Sequence, residues 1–239
     1  RSDVVGSMLR PRFLLEAQDL FKKGKISLAE FVALEDKAVK QAVAIQEEIG
    51  VDVLTDGEMR RPVFCHNFVK AVDGFKWNIL GNSVIWFDMK GRKIVDRVTV
   101  GVVKRIKKKH DISVDEFSFL RGITDKPKKI TIPSPTMMSY YFVPGISDKI
   151  YLNQMEYLRE VTEILKEGVT ELERIGATYI QVDAPEFGML LDPIQQQWFA
   201  SKGFNPDTLV NEGVEMINEV LSDFSGIKGL HICRGNDKN

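Results

Sequence analysis

The amino-acid sequence predicts an α/β fold, a (β/α)8 TIM barrel, with about five of the eight strands inside its 239 residues. Short β-rich segments alternate with long amphipathic segments, which is typical of parallel strands joined by right-handed crossovers. An open doubly wound sheet fits this alternation equally well. The barrel is favoured because polar residues follow every candidate strand, whereas an open sheet concentrates its site at one switch point.

The first three elements are a strand, a helix and a strand. Residues 3–7 ("DVVGS") form a short β-branched run that ends in small residues. Ser27 and Glu30 have the spacing of a capping box, and they begin a helix whose apolar residues follow one broad face up to Gly50. Residues 51–58 ("VDVLTDGE") then predict a buried strand with a polar end.

The next segment departs from the alternation. Residues 83–101 contain two β-rich arms around Lys90-Gly91-Arg92, which predicts a β-hairpin inserted into the larger pattern. The alternation then resumes, with predicted strands at residues 128–135, 177–185 and 228–236 and predicted helices at residues 152–176 and 207–224.

Composition narrows the class of protein. The chain is 44% hydrophobic and 28% charged, so a packed core is expected. With 33 Lys+Arg against 34 Asp+Glu, no nucleic-acid partner is indicated, and the basic segment at residues 104–110 is expected on a solvated surface. No apolar run approaches the length of a membrane span. Two distant cysteines indicate reduced thiols, so the predicted location is the cytoplasm.

The domain prediction is a single catalytic barrel at residues 1–239, incomplete at its C-terminus. Five strands with their helices would leave an open sheet edge and an exposed apolar flank, which a folded domain avoids. The sequence does not indicate an oligomeric state.

Candidate substrate-binding residues lie at the ends of three predicted strands. Gly6 and Ser7 offer backbone N–H groups and a hydroxyl for a carboxylate, with Arg10 as a further donor; a plain turn is the alternative. In "TDGEMRRP", the paired carboxylates of Asp56 and Glu58 suit a cationic or amine-bearing substrate or general base catalysis, and a solvated turn explains them equally well. Asp183 follows the apolar run "YIQV", and this position at a strand end favours a functional role over a structural one.

The best candidate metal ligands are His231 and Cys233. Residues two apart on a strand point to the same side, so the imidazole and the thiolate can reach one ion. A core cysteine beside a hydrogen-bonded histidine is the alternative, because two ligands do not complete a zinc site. Candidates for a third ligand within the chain are Glu58, Cys65, His66, His110 and Asp183. His66 also fits either a core histidine or a proton shuttle.

Taken together, these segments resemble the C-terminal catalytic barrel of cobalamin-independent methionine synthase and, more closely, its shorter single-barrel bacterial relatives. The resemblance covers the whole chain. It is carried by "DVVGSMLRP", "ISLAEFVALEDKAVKQAVAIQEEIGVDVLTDGEMRR", "FCHNF", "IPSPTMM", "YIQVDAPEF" and "HICRGN", in this order.

The resemblance implies a barrel and a methyltransferase that transfers a methyl group from a donor of the 5-methyltetrahydropteroyltriglutamate type to the thiol of homocysteine. It implies that Zn²⁺ is bound by His231 and Cys233, with a Glu and a second Cys from later strands that have no counterpart here. Gly6 and Ser7 would contact the carboxylate of homocysteine, and Glu58 and Asp183 its ammonium group. Asp183 and His66 are thus the predicted catalytic residues.

The methyl donor and the reaction class stay open. Where methionine synthases usually have Asp-Glu-Pro, this chain has Asp183-Ala184-Pro185, so the donor is either a methyl-folate or a corrinoid carrier. One alternative is a zinc-dependent lyase of the same superfamily, in which a thiol of the coenzyme M type opens an epoxide. Coenzyme M has no ammonium group, so Glu58 and Asp183 favour an amino-acid thiol. The other alternative is a barrel without catalytic activity.

Overall fold

The computed structural model describes residues 2–79, 83–87, 92–97 and 99–233. The helices are α1 (Arg12–Lys22), α2 (Leu28–Glu48), α3 (His66–Ala71), α4 (Val114–Ile123), α5 (Gln154–Arg174), α6 (Pro185–Met189), α7 (Pro193–Ser201) and α8 (Pro206–Val220). The strands are β1 (Val72–Trp77), β2 (Ser83–Phe87), β3 (Lys93–Arg97), β4 (Val100–Lys108), β5 (Ile130–Pro133), β6 (Tyr179–Asp183) and β7 (Ile227–His231). Two 3-10 turns lie at Thr136–Tyr141 and Ser147–Lys149.

The central sheet is parallel and has the order β5-β6-β7. Its register places Pro133 beside Asp183, and Asp183 beside His231. The carboxyl ends of the three strands therefore meet at one edge of the sheet, with Asp183 and His231 as neighbours.

Two extended segments continue this sheet, each through a single parallel β-bridge. Asp3 pairs with Val53, and Leu54 pairs with Lys128. The strands predicted at residues 3–7 and 51–58 are therefore reduced to isolated bridges. Every parallel segment pairs with the one before it in the sequence, which is the winding of a barrel. Among the described residues, however, the sheet is open rather than closed into eight strands.

The helix signals in the sequence are confirmed. Ser27 and Glu30 form the capping box of α2, and Gly50 follows its end with a φ of +77°. Asn153 caps α5, and Gly176 follows its end with a φ of +93°. These left-handed positions need glycine because a Cβ atom is unfavourable there.

The broad apolar face predicted for α2 is wrong in part. The helix buries Ala38, Val39 and Ala42, but Leu28 is 64% exposed and Ile49 69% exposed. The side of α2 that lies against α1 and the segment around residue 54 includes Phe31, which stacks on Phe21 of α1, but it leaves Leu28 and Ile49 at the surface.

The insertion is larger than the predicted hairpin. β2 and β3 pair antiparallel as expected, while the turn at Lys90 and Gly91 lies outside the described residues. β1 and β4 also pair antiparallel and enclose the hairpin, so that the insertion extends over residues 72–108. β1 could not be predicted from the sequence, because Gly74, with a φ of +107°, interrupts the alternation of side chains at a β-bulge.

The basic segment at residues 104–110 lies on the surface, as expected, and binds the acidic side of α5. Arg105 donates to Glu156 and Glu160, each at 2.6 Å, and Lys108 lies 2.7 Å from Glu167. These ion pairs attach the insertion to α5.

The main hydrophobic core lies between the parallel sheet, α5 and α8, and a second cluster joins α1 to α2. Across the described ranges, the structure contains no helix with the length and apolar character needed to cross a membrane.

Candidate active site

Glu58 occupies a strained turn directly after the second parallel segment. Gly57 has a φ of +68° and Glu58 a φ of +54°, a region that a residue with a side chain seldom adopts. The turn is held because the Glu58 N–H donates to Asp56 Oδ1 at 2.9 Å. Its effect is to direct the Glu58 carboxylate inward, where the residue is 1% exposed. Strain of this kind concentrates at functional sites.

Three side chains fix the Glu58 carboxylate. Thr131 of β5 donates to Oε1 at 2.7 Å, and Ser7 donates to Oε2. The Arg61 guanidinium lies 3.6 Å from Oε1. The structure thus brings Ser7 and Glu58, both predicted from the sequence, into direct contact, although 51 residues separate them.

Gly6 packs against this carboxylate. A Cβ atom at this position would lie 2.6 Å from Glu58 Oε1 and 3.2 Å from Thr131 Cγ2, closer than a normal contact. The residue therefore has to be glycine for Glu58 to keep its place.

Gly6→Ala is accordingly expected to displace Glu58 and to destabilise the protein by about 1–3 kcal/mol. Urea unfolding measures this change. Gly122→Ala is the matched control, because a Cβ there meets nothing within 4 Å and α4 should gain stability. Equal stabilities for the two variants would show that Gly6 does not constrain Glu58.

Asp183 is the second buried carboxylate of the site. It is 5% exposed, and its Oδ1 accepts a hydrogen bond of 2.7 Å from Gln181 Nε2. Burial raises the pKa of Asp183 to about 7, against the opposing effect of the Gln181 hydrogen bond, and the charge of Glu58 raises it further. Asp183 therefore gains or loses its proton near neutral pH.

Asp56 is a third carboxylate in the same cluster. Burial, followed by the charge of Glu116, raises the pKa of Asp56 to about 6, while Arg61 opposes the rise. Its Oδ2 atom has no hydrogen-bond partner among the described residues. The cluster is thus rich in negative charge and suited to a cation.

Arg61 is the cation that holds this cluster together, and the sequence analysis missed it. It is 1% exposed and donates to Glu116 Oε2 at 2.6 Å and to Thr131 Oγ1 at 2.8 Å. It also donates to the carbonyl of Thr131 at 3.0 Å and to Ser113 Oγ at 3.1 Å. Burial alone would lower the pKa of Arg61, but the carboxylates, led by Glu116, raise it well above its ordinary value.

Arg10 has structural contacts. Its guanidinium donates to the carbonyl oxygens of Arg61 and, at 3.4 Å, of Glu58. These hydrogen bonds stabilise the turn that carries Glu58. Its Nε is buried without a partner in the described part of the chain, so one donor remains for a ligand.

His66 lies in an aromatic cluster. Its ring meets Trp77 edge-on with centroids 5.0 Å apart, and Tyr141 lies 6.3 Å away. Burial lowers the pKa of His66 to about 4, and Lys70 adds to the effect, so the ring is neutral at pH 7. Its role in proton transfer stays a prediction.

His231 follows the alternation expected of a strand. Gly229 faces Gln181, and His231 shares the partly buried side of β7, while Leu230 is 52% exposed and Ile232 53% exposed. Cys233 lies two residues beyond the end of β7 and is also partly buried, and its place on the same side as His231 stays a prediction. The charges of Lys129 and Glu58 both act on His231, whose pKa burial lowers, so the imidazole lies near the acidic cluster.

A complete metal site is not formed in the described ranges. No group of three or more His, Cys, Asp or Glu side chains there is arranged to hold an ion. The third ligands considered within the chain therefore do not join His231 and Cys233. An imidazole and a thiol are donor types that zinc prefers, so the chemistry of this pair fits half of a tetrahedral site.

Comparison with known proteins identifies the family of this chain. The family model described as "Cobalamin-independent synthase, Catalytic domain" matches residues 3–205. The chain belongs to this family. The resemblance seen in the sequence is thereby confirmed.

Relatives in the cobalamin-independent synthase family are longer than this chain. The uncharacterised protein YxjH of Bacillus subtilis (strain 168) is 27% identical over 239 residues, which cover 99% of this chain and 62% of YxjH. A methionine synthase of Saccharolobus solfataricus is 28% identical over 233 residues, covering 97% of this chain and 62% of that protein. The chain thus spans about three fifths of the relatives it matches.

Solved structures of the family share the fold. A B12-independent methionine synthase from Shewanella sp. W3-18-1, in complex with selenomethionine, superposes with a TM-score of 0.73 at 22% identity, over 98% of this chain and 61% of that one. A putative vitamin-B12 independent methionine synthase from Listeria monocytogenes gives 0.71 at 25% identity, over 98% and 65%.

Proposed function

We propose that this protein is a methyltransferase that transfers a methyl group to the thiol of homocysteine and forms methionine. The observation that carries the proposal is the pairing of Glu58 and Asp183, two buried carboxylates at strand ends, with a hydroxyl on one side and His231 on the other. Family membership supports the same activity. We further propose that the whole domain is a closed (β/α)8 barrel.

The carboxylates explain why the substrate is an amino acid. An ammonium group placed beside Glu58 and Asp183 would donate hydrogen bonds to both carboxylates and offset part of their negative charge. The Ser7 hydroxyl is already bound to Glu58, so the backbone N–H groups of Gly6 and Ser7 would receive the substrate carboxylate. Recognition at both ends leaves the thiol-bearing chain of homocysteine to extend along the strand ends.

His231 and Cys233 would hold Zn²⁺ beyond this pocket, with further ligands from parts of the family fold outside the described residues. When bound, zinc lowers the pKa of a substrate thiol and makes it a thiolate at neutral pH. The protein's own contribution is to orient the substrate and to exclude water, which supplies proximity. His66 remains the proposed proton-transfer residue, in its neutral form.

The methyl donor separates the remaining hypotheses. A methyl-folate and a corrinoid carrier both suit a thiolate acceptor. The zinc-dependent lyase acting on a thiol of the coenzyme M type is less well supported, because coenzyme M has a sulfonate and no ammonium group that Glu58 and Asp183 could bind. A barrel without activity is the other alternative.

An activity screen of the zinc-loaded full-length protein tests the proposal. Homocysteine is paired with methyl-folate and with methylcobalamin, and methionine is measured; coenzyme M with an epoxide is the parallel assay. Methionine from either donor supports the proposal, and a thioether from the epoxide alone supports the lyase. No product together with no bound zinc would leave the non-catalytic alternative.

Asp183→Asn is expected to raise the KM for homocysteine by about 10- to 100-fold at about pH 8, because a charge-assisted contact to the ammonium is lost. In the native protein the KM should rise as the pH falls below about 7, where Asp183 becomes protonated and neutral. The variant should lose this pH dependence and keep its zinc. A variant with unchanged KM, or one that loses zinc, would contradict the assignment.

A further inference from the structure

Lys129 is a buried lysine that has no part in the substrate contacts proposed above. It directly precedes β5 and is 1% exposed. Its Nζ lies 2.8 Å from Asp3 Oδ2 and donates to Gln181 Oε1 at 2.6 Å. A lysine is seldom buried unless its ammonium group is paired, so these two contacts are what keep Lys129 inside the protein.

Gln181 joins this lysine to the proposed substrate pocket. Its Nε2 donates to Asp183 Oδ1 at 2.7 Å and to the carbonyl of Val5 at 2.8 Å. The amide group thus uses its oxygen and both hydrogens of its nitrogen. Lys129, Gln181 and Asp183 therefore form a continuous chain of hydrogen bonds that ends at the pocket.

Lys129 determines which end of the Gln181 amide faces Asp183. An amide group can turn by half a rotation and keep nearly the same shape. In the turned orientation, Oε1 would face the Asp183 carboxylate and the NH2 group would face the Lys129 ammonium, and both contacts are repulsive. Because an ammonium group can only donate, its place at Oε1 selects the orientation in which Nε2 donates to Asp183.

The same chain of hydrogen bonds is anchored on a distant part of the sheet. Two other parallel segments separate residues 3–7 from β6 in the order of the sheet. Asp3 and Val5 nevertheless contact Lys129 and Gln181, so these contacts cross the inner side of a curved sheet. Anchors on both sides hold the amide in one position, as a pre-organised binding site requires.

We propose that Lys129 is a positioning residue for the substrate: through Gln181 it holds Asp183 Oδ1 in place and leaves Oδ2 to accept from the ammonium group of the amino acid. The proposal rests on the proposed binding of homocysteine. Lys129 itself does not touch the substrate. Without the lysine, the substrate would have to order Gln181 and Asp183 as it binds, and this ordering lowers affinity.

Lys129→Met in the zinc-loaded full-length protein tests the proposal, because methionine keeps most of the length of lysine and removes the ammonium group. The KM for homocysteine should rise about tenfold, the effect of one hydrogen bond, while kcat at saturation changes by only a few-fold. The affinity for 4-mercaptobutyrate, a thiol acid without an ammonium group, should stay unchanged and shows that the variant is folded. Lys128→Met, at the preceding and partly exposed lysine, is the matched control and should keep the native KM.

A double-mutant cycle separates positioning from a direct effect of the lysine charge on the substrate. Gln181→Met should raise the KM about as much as Lys129→Met, and the double variant should bind homocysteine no worse than either single variant. A direct effect of the charge would persist without the amide, so the two increases in KM would then multiply.

An unchanged KM in Lys129→Met, multiplied effects in the double variant, or an equal loss of affinity for 4-mercaptobutyrate would each overturn the positioning role. If Lys129→Met does not fold, an unchanged KM in Gln181→Met would overturn it as well. In all these cases, tighter binding of homocysteine than of 4-mercaptobutyrate by the native protein would still uphold the proposed function. Equal binding of the two thiols by the native protein would reject the recognition of the ammonium group itself, and the role of Lys129 with it.

Discussion

Replacing Arg61 by alanine should destabilise the protein by about 3–5 kcal/mol, the cost of leaving a buried charge without its partner. Glu116 would lose its hydrogen bonds to the guanidinium, and Glu58 would lose the nearest cation. Burial raises the pKa of Glu116, but Arg61 outweighs it and keeps this pKa low, so the variant would bury an unpaired carboxylate. Urea unfolding measures the change.

The neighbouring arginine is the control for this prediction. Arg60 is paired with Asp36 nearer the surface and lies over the Phe119 ring, so Arg60→Ala should cost much less. Adding Glu116→Gln to Arg61→Ala should recover part of the loss, because the orphaned charge is removed. A single Arg61→Ala variant within about 1 kcal/mol of the native protein would show that this network does not stabilise the site.

The second large effect is expected at the metal. Cys233→Ala should abolish zinc retention and methyl transfer together. The variant lacks a thiolate, which is the ligand type that zinc binds best. Metal analysis after gel filtration and the methionine assay measure the two effects.

Cys65→Ala separates loss of a ligand from loss of any thiol. Cys65 is fully buried, contacts Tyr141 Oη at 3.1 Å, and has a pKa that burial raises to about 12. It is therefore a neutral core residue, and its variant should keep zinc. If Cys233→Ala retained zinc and activity, Cys233 would be excluded from the site.

The residues at strand ends could be predicted because the rule behind them is local. A polar residue after an apolar strand lies at the carboxyl edge of a parallel sheet, which placed Glu58, Asp183 and His231. The two long helices were predictable for the same reason, since their caps and glycine ends lie within the segments themselves.

The partners of these residues could not be predicted, because they come from distant parts of the chain. Arg61 follows Glu58 in a charged, turn-like sequence, and nothing local shows that it is buried against Glu116, 55 residues away. The strands at residues 3–7 and 51–58 were overestimated because β-branched composition indicates extended backbone but not how many residues pair.

A usable signal was present for two missed residues. Thr131 and Gln181 are polar positions inside apolar strands, in "ITIP" and "YIQVD". Strand alternation places Gln181 on the same side as Asp183, and its amide does donate to that carboxylate. The burial of Glu186 could not be predicted in this way, because a glutamate after a proline is equally typical of the exposed first turn of a helix.

Calorimetric titration of the zinc-loaded full-length protein with two thiols, at about pH 8, tests the central claim most directly. Homocysteine and 4-mercaptobutyrate share a thiol and a carboxylate, and only homocysteine has the ammonium group that Glu58 and Asp183 are proposed to bind. Homocysteine should bind at least about tenfold more tightly, and Asp183→Asn should reduce that preference. Equal affinities of the native protein for the two thiols would contradict the account.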